Sequence, residues 1–513
     1  MKMLLAGPGT GKTTKVKSII RNNYPDAENV LVLSFTNATI NDLKESFKDF
    51  DNVSCYTLHS YALKVNHLPN LHVLQDPYEL PILRKLSEKI NIPFDDVCGF
   101  LRCITFFKMI EQCIAFIKSN PPYATENIGN PDLLIVDEFQ DFNAIERELV
   151  YLLAQYSKDS IILGDDDQSI YDFKDADPDG IISLYKNSVI TKLDHDNICY
   201  RCPDSIVDYC SQLISRNKHR VDKNWHKSSK NGDVIFVQKM TMFETHEYIC
   251  DRIKPILENK NTVLILSPVS YYIDDFRRML DKHNIPFVDF WTTKISMELR
   301  MKVWWVKALF GEHKLLFLLL LAKELKLYSK NSFIKKISQS FQSSFDESTL
   351  IKDILKYYPK PFSDYLLKPI NVDDFFESHI DFSELREHIE SDNLSESIGK
   401  LERNLNPIVN FDNNSVNIMS IHKSKGLQAD YVFILGLNDG VLPNEVWGVD
   451  SLEAQRRLLF VGMTRAKLQL HMVSTVEWDG KFVNKVDKKQ FKYKFYKKKW
   501  YGKASRFIEE IKK

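Results

Sequence analysis

The sequence predicts an α/β protein with two α/β units, each interrupted by a mainly helical insertion. Short continuous apolar runs, typical of parallel strands buried on both faces, occur in two series separated by amphipathic segments. Two further stretches have helical or loop patterns instead. The first has no clear strand, and the second contains long apolar segments at 303–310 and 315–327 that are predicted to be helical. The 513 residues leave room for three or four domains of about 150 residues each.

The apolar runs place the boundaries of these domains. The predicted strands are residues 3–5, 30–35, 133–136 and 161–163 in the first series, and 234–237, 263–266, 416–420, 431–435 and 468–473 in the second. We therefore expect a first domain at 1–65 and 131–205 with an insertion at 66–130, and a second domain at 206–290 and 409–513 with an insertion at 291–408.

Composition excludes several classes of protein. The chain has 69 Lys and Arg and 69 Asp and Glu, with 44% hydrophobic residues, so it is neither disordered nor fibrous. Its longest apolar run, residues 315–322, is far shorter than the roughly 20 residues of a membrane-spanning helix. The first residues leave no room for a signal peptide, which predicts a cytoplasmic protein with reduced cysteines. Cys199 and Cys202 form a CxxC, but four metal ligands at suitable spacing are lacking.

A phosphate-binding loop opens the first domain, between a predicted strand and a predicted helix. Its residues are Ala6, Gly7, Pro8, Gly9, Thr10, Gly11, Lys12 and Thr13. Glycines let backbone N–H groups turn toward phosphates, and the helix N-terminus adds positive potential. Lys12 would neutralise the β and γ oxygens, and the hydroxyl of Thr13 would hold Mg²⁺.

Acidic residues after the next buried strands indicate what happens to the nucleotide. Asp137 and Glu138 follow residues 133–136, at the strand end where α/β sheets bind ligands. Asp137 can hold Mg²⁺, and Glu138 can deprotonate an attacking water. Gln168, after the following strand, can contact the γ-phosphate and report its loss. This pattern predicts ATP hydrolysis rather than transfer to a second substrate.

In combination these residues resemble the UvrD/Rep-like branch of superfamily 1 DNA helicases, and the match covers nearly the whole chain except the insertions. The motifs occur in the family's order, at residues 33–37 (Ia), 57–60 (Ib), 136–141 (II), 164–173 (III), 200–201 (IV), 418–427 (V) and 456–466 (VI), with a closing element at 505–507. The resemblance implies two RecA-like domains. It also implies an ATP-dependent DNA helicase or translocase, of a kind that acts in DNA repair.

The resemblance assigns further residues to the nucleotide. Arg201 and Arg465 would be arginine fingers that stabilise charge on the γ-phosphoryl group. Because Arg465 lies in the second domain, ATP would bind between the domains and draw them together. Tyr200 would stack on adenine, beside Thr14, which stands where the family generally has an arginine. The family usually has an adenine-reading segment before the loop strand, and we expect this chain to lack it because the sequence starts almost on that strand.

The same resemblance predicts a path for single-stranded DNA, which binds through stacked bases and held phosphates. The candidate stacking residues are Phe35, Tyr171 and Phe173, and the candidate backbone contacts are Thr36, Asn37, Thr57, His59 and His422. Core packing is the alternative interpretation for Phe35 and Phe173. An aromatic residue in motif Ia is characteristic of helicases that move 3′-to-5′, and we expect this direction here.

The chain departs from the family pattern at several positions. Lys174 and Asp175 replace an Arg-Gly pair, Gln428 replaces a glutamate, Ala429 replaces an aromatic residue, and both insertions look short. Two alternatives therefore stay open beside a helicase that acts on single-/double-strand junctions. One is a single-strand translocase that needs a protein partner. The other is a nucleotide-gated DNA-sensing subunit of a repair or phage-defence complex.

A lysine-rich segment near the end of the chain has no place in these motifs. Residues 481–503 contain ten lysines and a single acid, Asp487. Residues 491–495 alternate like a strand with one aromatic and one cationic face. The segment could bind DNA phosphates or an acidic partner, or it could be an edge strand that lysines keep solvated.

Overall fold

The computed structural model forms two compact units. It describes residues 1–66, 71–75, 78–291, 296–343, 345–360, 362–368, 370–389, 393–405, 412–445, 451–494 and 498–512. The sheet unit comprises Met1–Tyr61, Ile114–Thr292 and Val409–Lys513. The helical unit comprises Ala62–Cys113 and Thr293–Ile408.

The first sheet of the sheet unit has six parallel strands. They are β1 (Lys2–Leu5), β2 (Val30–Ser34), β3 (Val53–Thr57), β4 (Leu133–Val136), β5 (Asp159–Gly164) and β6 (Thr191–Lys192). Their spatial order is β3-β2-β4-β5-β1-β6. The four strands that the sequence predicts are confirmed. The two that it misses are the edge strands, β3 and β6.

The second sheet also has six parallel strands. They are β7 (Asp233–Lys239), β8 (Val263–Ser267), β9 (Phe287–Asp289), β10 (Val416–Ser420), β11 (Ala429–Ile434) and β12 (Ala466–Thr475). Their order is β7-β12-β11-β8-β10-β9. All five predicted strands are confirmed, and the short edge strand β9 is an addition. Two parallel sheets confirm the predicted fold class.

Helices cover the faces of both sheets. The helices of the sheet unit are Lys12–Asn23, Asn37–Ser46, Pro121–Ile128, Ala144–Gln155, Asp179–Lys186, Asp204–Ile214, Met242–Glu258, Tyr271–Lys282, Leu452–Met463, Gly480–Val483 and Arg506–Lys512. Leu58–Val65 and Phe106–Ser119 each span the boundary between the units. The 3₁₀ turns are Phe139–Asp141, Asp166–Gln168, Asp172–Lys174, His422–Ser424 and Lys488–Gln490. The central strands β2, β4, β8 and β10 are buried at every residue, as the continuous apolar runs require.

Two small sheets complete the sheet unit. Ile198–Cys199 pairs in parallel with His226–Lys227. Glu477–Trp478, Lys492–Lys494 and Lys499–Tyr501 form an antiparallel sheet in which Lys499–Tyr501 is central. All eight cysteines of the chain are free and buried.

The helical unit combines both insertions. Its helices are Glu79–Ile90, Phe94–Phe100, Met297–Phe310, Lys314–Glu324, Asn331–Gln342, Glu347–Leu355, Phe362–Leu367, Val372–Ser378, Ser383–Arg386 and Leu394–Leu405, with 3₁₀ turns at Leu327–Ser329 and Ile380–Phe382. His72–Val73 and Cys103–Ile104 form a two-stranded sheet. The helix Pro121–Ile128, inside the expected first insertion, belongs to the sheet unit, where Tyr61 donates to the carbonyl of Ile128 at 2.9 Å.

The two insertions share one hydrophobic core. Leu86 of the first insertion and Trp304 of the second are fully buried in the same cluster. The rings of Phe100 and Phe341 stack with centroids 4.8 Å apart. No described helix of the chain is long and apolar enough to cross a membrane, because even Lys314–Glu324 has only 11 residues.

Truncation of Leu86 in the first insertion should destabilise the second insertion as well. Loss of a fully buried leucine side chain costs about 2–5 kcal/mol, and the shared core transmits this cost. We therefore expect Leu86→Ala to speed hydrogen exchange in helix Lys314–Glu324, measured by mass spectrometry. Lys335→Ala, at an exposed position, is the control. Unchanged exchange in that helix would show that the insertions fold independently.

Candidate nucleotide and nucleic-acid site

The phosphate-binding loop lies at the carboxyl edge of the first sheet. It follows β1, and helix Lys12–Asn23 begins at its end. Gly9 and Gly11 have φ angles of 70° and 81°, in the left-handed region that favours glycine. Left-handed residues in such a loop let backbone N–H groups form an anion-binding concavity. The local conformation therefore suits phosphate binding.

Lys12 is held at the loop itself. Its Nζ donates to the carbonyl oxygens of Ala6 at 3.0 Å and Gly7 at 3.2 Å. The hydroxyl of Thr10 donates to the Gly7 carbonyl at 2.9 Å, which closes the turn. The ammonium therefore lies where phosphate oxygens would bind. Thr13 follows it in the first turn of the helix.

Two residues that the sequence analysis missed pack against this loop. Asn197 accepts a hydrogen bond from the backbone N–H of Gly7 at 2.8 Å. Trp225 donates from Nε1 to the carbonyl of Pro8 at 3.2 Å. A Cβ at Gly7 would lie 2.6 Å from the Trp225 ring, so only glycine fits there. Neither residue lies in one of the motifs identified in the sequence, and the residues next to it give no sign of its role.

The segment that carries Arg201 also contacts the loop. The N–H of Tyr200 donates to the carbonyl of Gly9 at 2.9 Å. A Cβ at Gly9 would lie 2.5 Å from the Cβ of Arg201, so the second glycine permits this close approach. The Tyr200 side chain is 62% exposed, and Thr14 is also exposed. A nucleobase could therefore stack on Tyr200.

Asp137 and Glu138 lie beyond the end of β4, next to the loop. Glu138 has a φ of 56°, a conformation that costs energy for a residue other than glycine and that clusters at functional sites. Burial and the neighbouring Glu138 raise the pKa of Asp137 to about 6. Burial opposes ionisation of Glu138 too, but the charges of Lys425 and Lys12 hold its pKa below the ordinary value. Glu138 is therefore ionised at neutral pH, and its carboxylate can accept a proton.

Lys425 is a functional candidate that the sequence analysis did not single out. Its Nζ donates to both oxygens of Asp141, at 2.8 and 2.6 Å, and to the carbonyl of Gln168 at 2.7 Å. It lies 3.5 Å from Glu138. Burial opposes its charge, but Asp141 and Glu138 raise the pKa of Lys425 above its ordinary value. A lysine of the second sheet's motif V thus completes the acidic site of the first sheet.

The donors at this site fit a magnesium ion. Asp137 is a buried carboxylate whose charge the surrounding protein compensates incompletely, as its raised pKa shows. A hard divalent cation bound by carboxylate and hydroxyl oxygens would supply that compensation. Asp137 and Thr13 are the residues that would hold the ion.

Gln168 lies between residues of the first sheet and residues of the second sheet. Its side chain accepts from Nη2 of Arg465 at 3.2 Å and donates to Asp165 at 2.8 Å. Arg465 is 1% exposed, and burial followed by the charge of Arg201 lowers its pKa to about 9. Arg201 approaches the same place, with Nη1 3.5 Å from the carbonyl of Thr464. Both predicted arginine fingers therefore converge near Gln168 and the acidic pair.

A second acidic cluster precedes Gln168 but is already neutralised. Asp165, Asp166 and Asp167 bring their carboxylates together in a group that could hold a metal. Lys223 forms ion pairs with all three, at 3.1 Å to Asp165 and 2.8 Å to Asp167. Arg220 forms a bidentate pair with Asp167 at 2.9 and 2.7 Å. These cations stabilise the turn that positions Gln168, a structural role that the sequence did not reveal.

Phe35 and Tyr171, two of the predicted stacking residues, lie side by side, and we call this pair of rings the aromatic platform. Their ring centroids are 5.4 Å apart, and both rings are partly exposed. Lys174 lies over both, 5.2 Å from the Phe35 centroid and 5.6 Å from that of Tyr171. Lys425 lies 5.4 Å from the Tyr171 ring, so this platform adjoins the acidic site. The side chain of Phe173 lies outside the described part of the chain.

Two predicted phosphate contacts also cap helices. Thr36 is the N-cap of helix Asn37–Ser46 and accepts from the N–H of Thr39 at 3.1 Å. Thr57 accepts from the N–H of Ser60 at 3.1 Å. Capping explains these threonines without DNA. The backbone N–H groups at the starts of these two helices also lie at the carboxyl edge of the first sheet. Helix N-termini bind anions favourably.

The remaining candidates differ in their surroundings. Asn37 is exposed in the first turn of its helix. His59 lies 3.1 Å from Glu146, so its ring is held by a carboxylate. His422 is partly buried and follows β10 in the 3₁₀ turn His422–Ser424. Each follows the carboxyl end of a parallel strand, the edge where α/β sheets bind ligands.

Comparisons with known proteins agree with this geometry. A model described as UvrD-like helicase C-terminal domain matches residues 195–368 and 320–477, more than half of the chain, and one described as AAA domain matches residues 1–174. The chain is 25% identical to ATP-dependent DNA helicase Rep of Buchnera aphidicola subsp. Acyrthosiphon pisum, over 91% of each chain.

Other relatives give the same assignment. A probable DNA helicase II homolog of Mycoplasma capricolum is 21% identical over 96% of this chain and 86% of that protein. ATP-dependent DNA helicase PcrA of Leuconostoc citreum is 24% identical over 72% of this chain and 58% of that protein. The coverage by the family model, the order of the motifs and the convergence of their residues lead to one conclusion: the chain belongs to the UvrD/Rep-like family of helicases.

Proposed function

We propose that this chain is an ATP-dependent DNA helicase and translocase that moves 3′-to-5′ on single-stranded DNA and opens duplex at single-/double-strand junctions. The observation that carries the proposal is the position of Gln168. Its side chain contacts Arg465, its carbonyl accepts from Lys425, and Tyr171 of the aromatic platform follows three residues later. One short segment thus links the nucleotide site, both sheets and the platform.

Hydrolysis requires a bound phosphate chain, an activated water and charge stabilisation. Lys12 and the loop N–H groups would bind the phosphates. Glu138, ionised and beside them, would accept the proton of the attacking water. Arg201 and Arg465 would stabilise charge on the γ-phosphoryl group. A magnesium ion held by Thr13 and Asp137 would supply further neutralisation of the phosphates.

Coupling to movement follows from which sheet supplies each group. Glu138 and Gln168 belong to the first sheet, whereas Lys425 and Arg465 belong to the second. A γ-phosphate between them adds attraction that favours the closed arrangement of the sheets, and its release removes that attraction. Because Tyr171 lies in motif III and His422 lies in motif V, each cycle would shift the platform relative to the second sheet's DNA contacts.

The alternatives make different use of the same residues. A partner-dependent translocase would hydrolyse ATP on DNA without separating strands alone. A nucleotide-gated DNA-sensing subunit would show weak or DNA-independent turnover. The contact of Lys174 with both platform rings supports the motor, because the lysine that replaces the family's arginine still places a cation over Phe35 and Tyr171.

Single-stranded DNA should stimulate steady-state ATP hydrolysis by the wild-type chain. Lys12→Ala removes phosphate neutralisation, and Glu138→Gln removes the base, so each should abolish the stimulated rate. Loss of a general base typically lowers kcat by about 10²–10⁴-fold. Glu258→Gln, at an exposed position, is the matched control. Turnover that ignores DNA in the wild type would contradict the motor and favour the sensing subunit.

Movement should be 3′-to-5′ and should depend on Phe35. In stopped-flow experiments with oligonucleotides dye-labelled at one end, we expect a length-dependent arrival signal from the 5′ end only. Loss of one stacking residue costs about 1–3 kcal/mol, so Phe35→Ala should weaken single-strand affinity by roughly 5- to 150-fold. Tyr123→Ala is the control, since this ring is 65% exposed on helix Pro121–Ile128, which leads to the amino end of β4, the opposite edge of the first sheet. An arrival signal from the 3′ end would reverse the assigned direction.

Removal of the Lys425 charge should move the pH dependence of hydrolysis. The cation lowers the pKa of Glu138, so Lys425→Gln should raise that pKa. Glu138 then becomes protonated at a higher pH, and the acid limb of the kcat profile should shift upward. Lys425→Arg keeps the charge and should keep the profile. Thermal unfolding of both variants checks that the protein stays folded when the buried acids lose their partner. If Lys425→Gln is folded and the acid limb of its kcat profile is not shifted, Lys425 does not set the pKa of Glu138.

A further inference from the structure

The small antiparallel sheet near the end of the chain presents two chemically distinct faces. In its register Tyr493 is opposite Trp500, whereas Lys492 is opposite Tyr501 and Lys494 is opposite Lys499. Because neighbours along a strand point to opposite faces, the lysines lie on one face and the pair Tyr493–Trp500 on the other. The predicted alternation of aromatic and cationic residues is thus present at Lys492–Lys494, and Phe495 lies outside the described residues.

The aromatic face accounts for the stability of this sheet. The rings of Tyr493 and Trp500 lie 5.0 Å apart, and Trp478, opposite Trp500, is fully buried. Trp478 also contacts the ring of Phe491 at 5.3 Å. The cationic face is not needed for this packing. Lys492 and Lys494 are exposed on an edge strand.

The cationic face brings like charges close together. Lys494 and Lys499 are direct cross-strand neighbours, and like charges in such positions destabilise a sheet. Lys499 pairs with Asp479 at 2.5 Å. Lys494 contacts only the Tyr501 ring, at 4.3 Å, and the described residues provide no carboxylate partner for Lys492 or Lys494. An anionic ligand would remove this repulsion.

The charge of this segment contrasts with the rest of the chain. Ten of the 69 basic residues but one of the 69 acidic residues lie between 481 and 503, so the remainder has 59 basic and 68 acidic residues. The single acid does not face the lysines as a partner: the Asp487 carboxylate is buried and accepts from the N–H of Lys489 and the amide of Gln490. A neutral protein thus has a segment of concentrated positive charge at residues 481–503.

The position of this surface suits a ligand already bound elsewhere on the second sheet. The small sheet continues from the carboxyl end of β12, where Trp478 donates to the carbonyl of Thr475 at 2.9 Å. His422 follows the carboxyl end of β10, three strands away in the same sheet, a lateral distance of roughly 14 Å. Lys492 and Lys494 are about 6.6 Å apart along one face, comparable with successive phosphates of an extended strand.

We propose that Lys492, Lys494 and Lys499 form a binding site for the sugar–phosphate backbone of DNA, additional to the contacts of the helicase motifs. This proposal rests on the function proposed above. Regular spacing of the lysines and their place at the edge that carries His422 favour a nucleic acid over an acidic protein. The site contributes affinity without sequence preference, and its contribution falls as salt rises.

Fluorescence anisotropy of the full-length protein with a labelled single strand and a labelled blunt duplex tests the proposal, over a series of salt concentrations. Lys492→Gln combined with Lys494→Gln removes two phosphate contacts. Affinity should fall roughly tenfold or more at low salt, and the slope of log K against log salt should decrease by about 1.4 for single strands or about 1.8 for duplex. The ligand whose slope changes identifies the form of DNA that is bound.

The matched control is Lys254→Gln combined with Lys260→Gln. Both lysines are exposed, and Lys260 precedes the amino end of β8, opposite the edge in question. The control should bind like the wild type. If the wild type and the control bind DNA while the Lys492/Lys494 variant keeps the wild-type slope for both ligands, the site is overturned and an acidic protein becomes the partner. Absence of DNA binding by the wild type would instead overturn the proposed function itself.

Discussion

The buried ammonium of Lys425 is the interaction on which the site depends. It comes from the second sheet, and its partners Asp141, Glu138 and Gln168 come from the first. An ion removed from water costs several kcal/mol unless its partners compensate it. Its ionised state therefore requires that the two sheets stay close, and its charge in turn favours the ionised state of Glu138. Structure and reactivity of the nucleotide site are thereby linked through one charge.

Motif III turns this link into a path between the two ends of the site. Lys223 and Arg220 neutralise the three aspartates that precede Gln168, so the turn can be rigid without a bound metal. Gln168 then meets Arg465, and Tyr171 stands beside Phe35 under Lys174. A change in charge at the phosphates needs to cross only a few residues to reach the aromatic platform. That short distance is a physical basis for coupling hydrolysis to a bound strand.

How much of this the sequence predicts depends on how local each signal is. The central strands are recognisable as continuous apolar runs. The edge strand β3 mixes polar and apolar residues, so this criterion does not detect it. The phosphate-binding loop is recognisable because its chemistry lies within eight residues. Lys425, Asn197 and Trp225 act on partners more than 180 residues away, and no local pattern reports such pairs. Capping by Thr36 and Thr57 likewise could not be predicted, because it depends on the residue at which each helix begins.

The shared core of the helical unit follows from the same limit. Helix Lys314–Glu324 is buried from Leu315 through Ala322, so it is apolar on every side and needs neighbours all around. The sequence of this helix predicts that it is covered on all sides, but it does not predict which segment covers it. A segment of roughly 50 residues, the size of the first insertion's share, is marginal as an independent fold because it buries a small fraction of its surface. Helix Glu79–Ile90 offers an apolar face and the second insertion offers a helix that must be covered, so the two insertions bury together surface that each would expose alone.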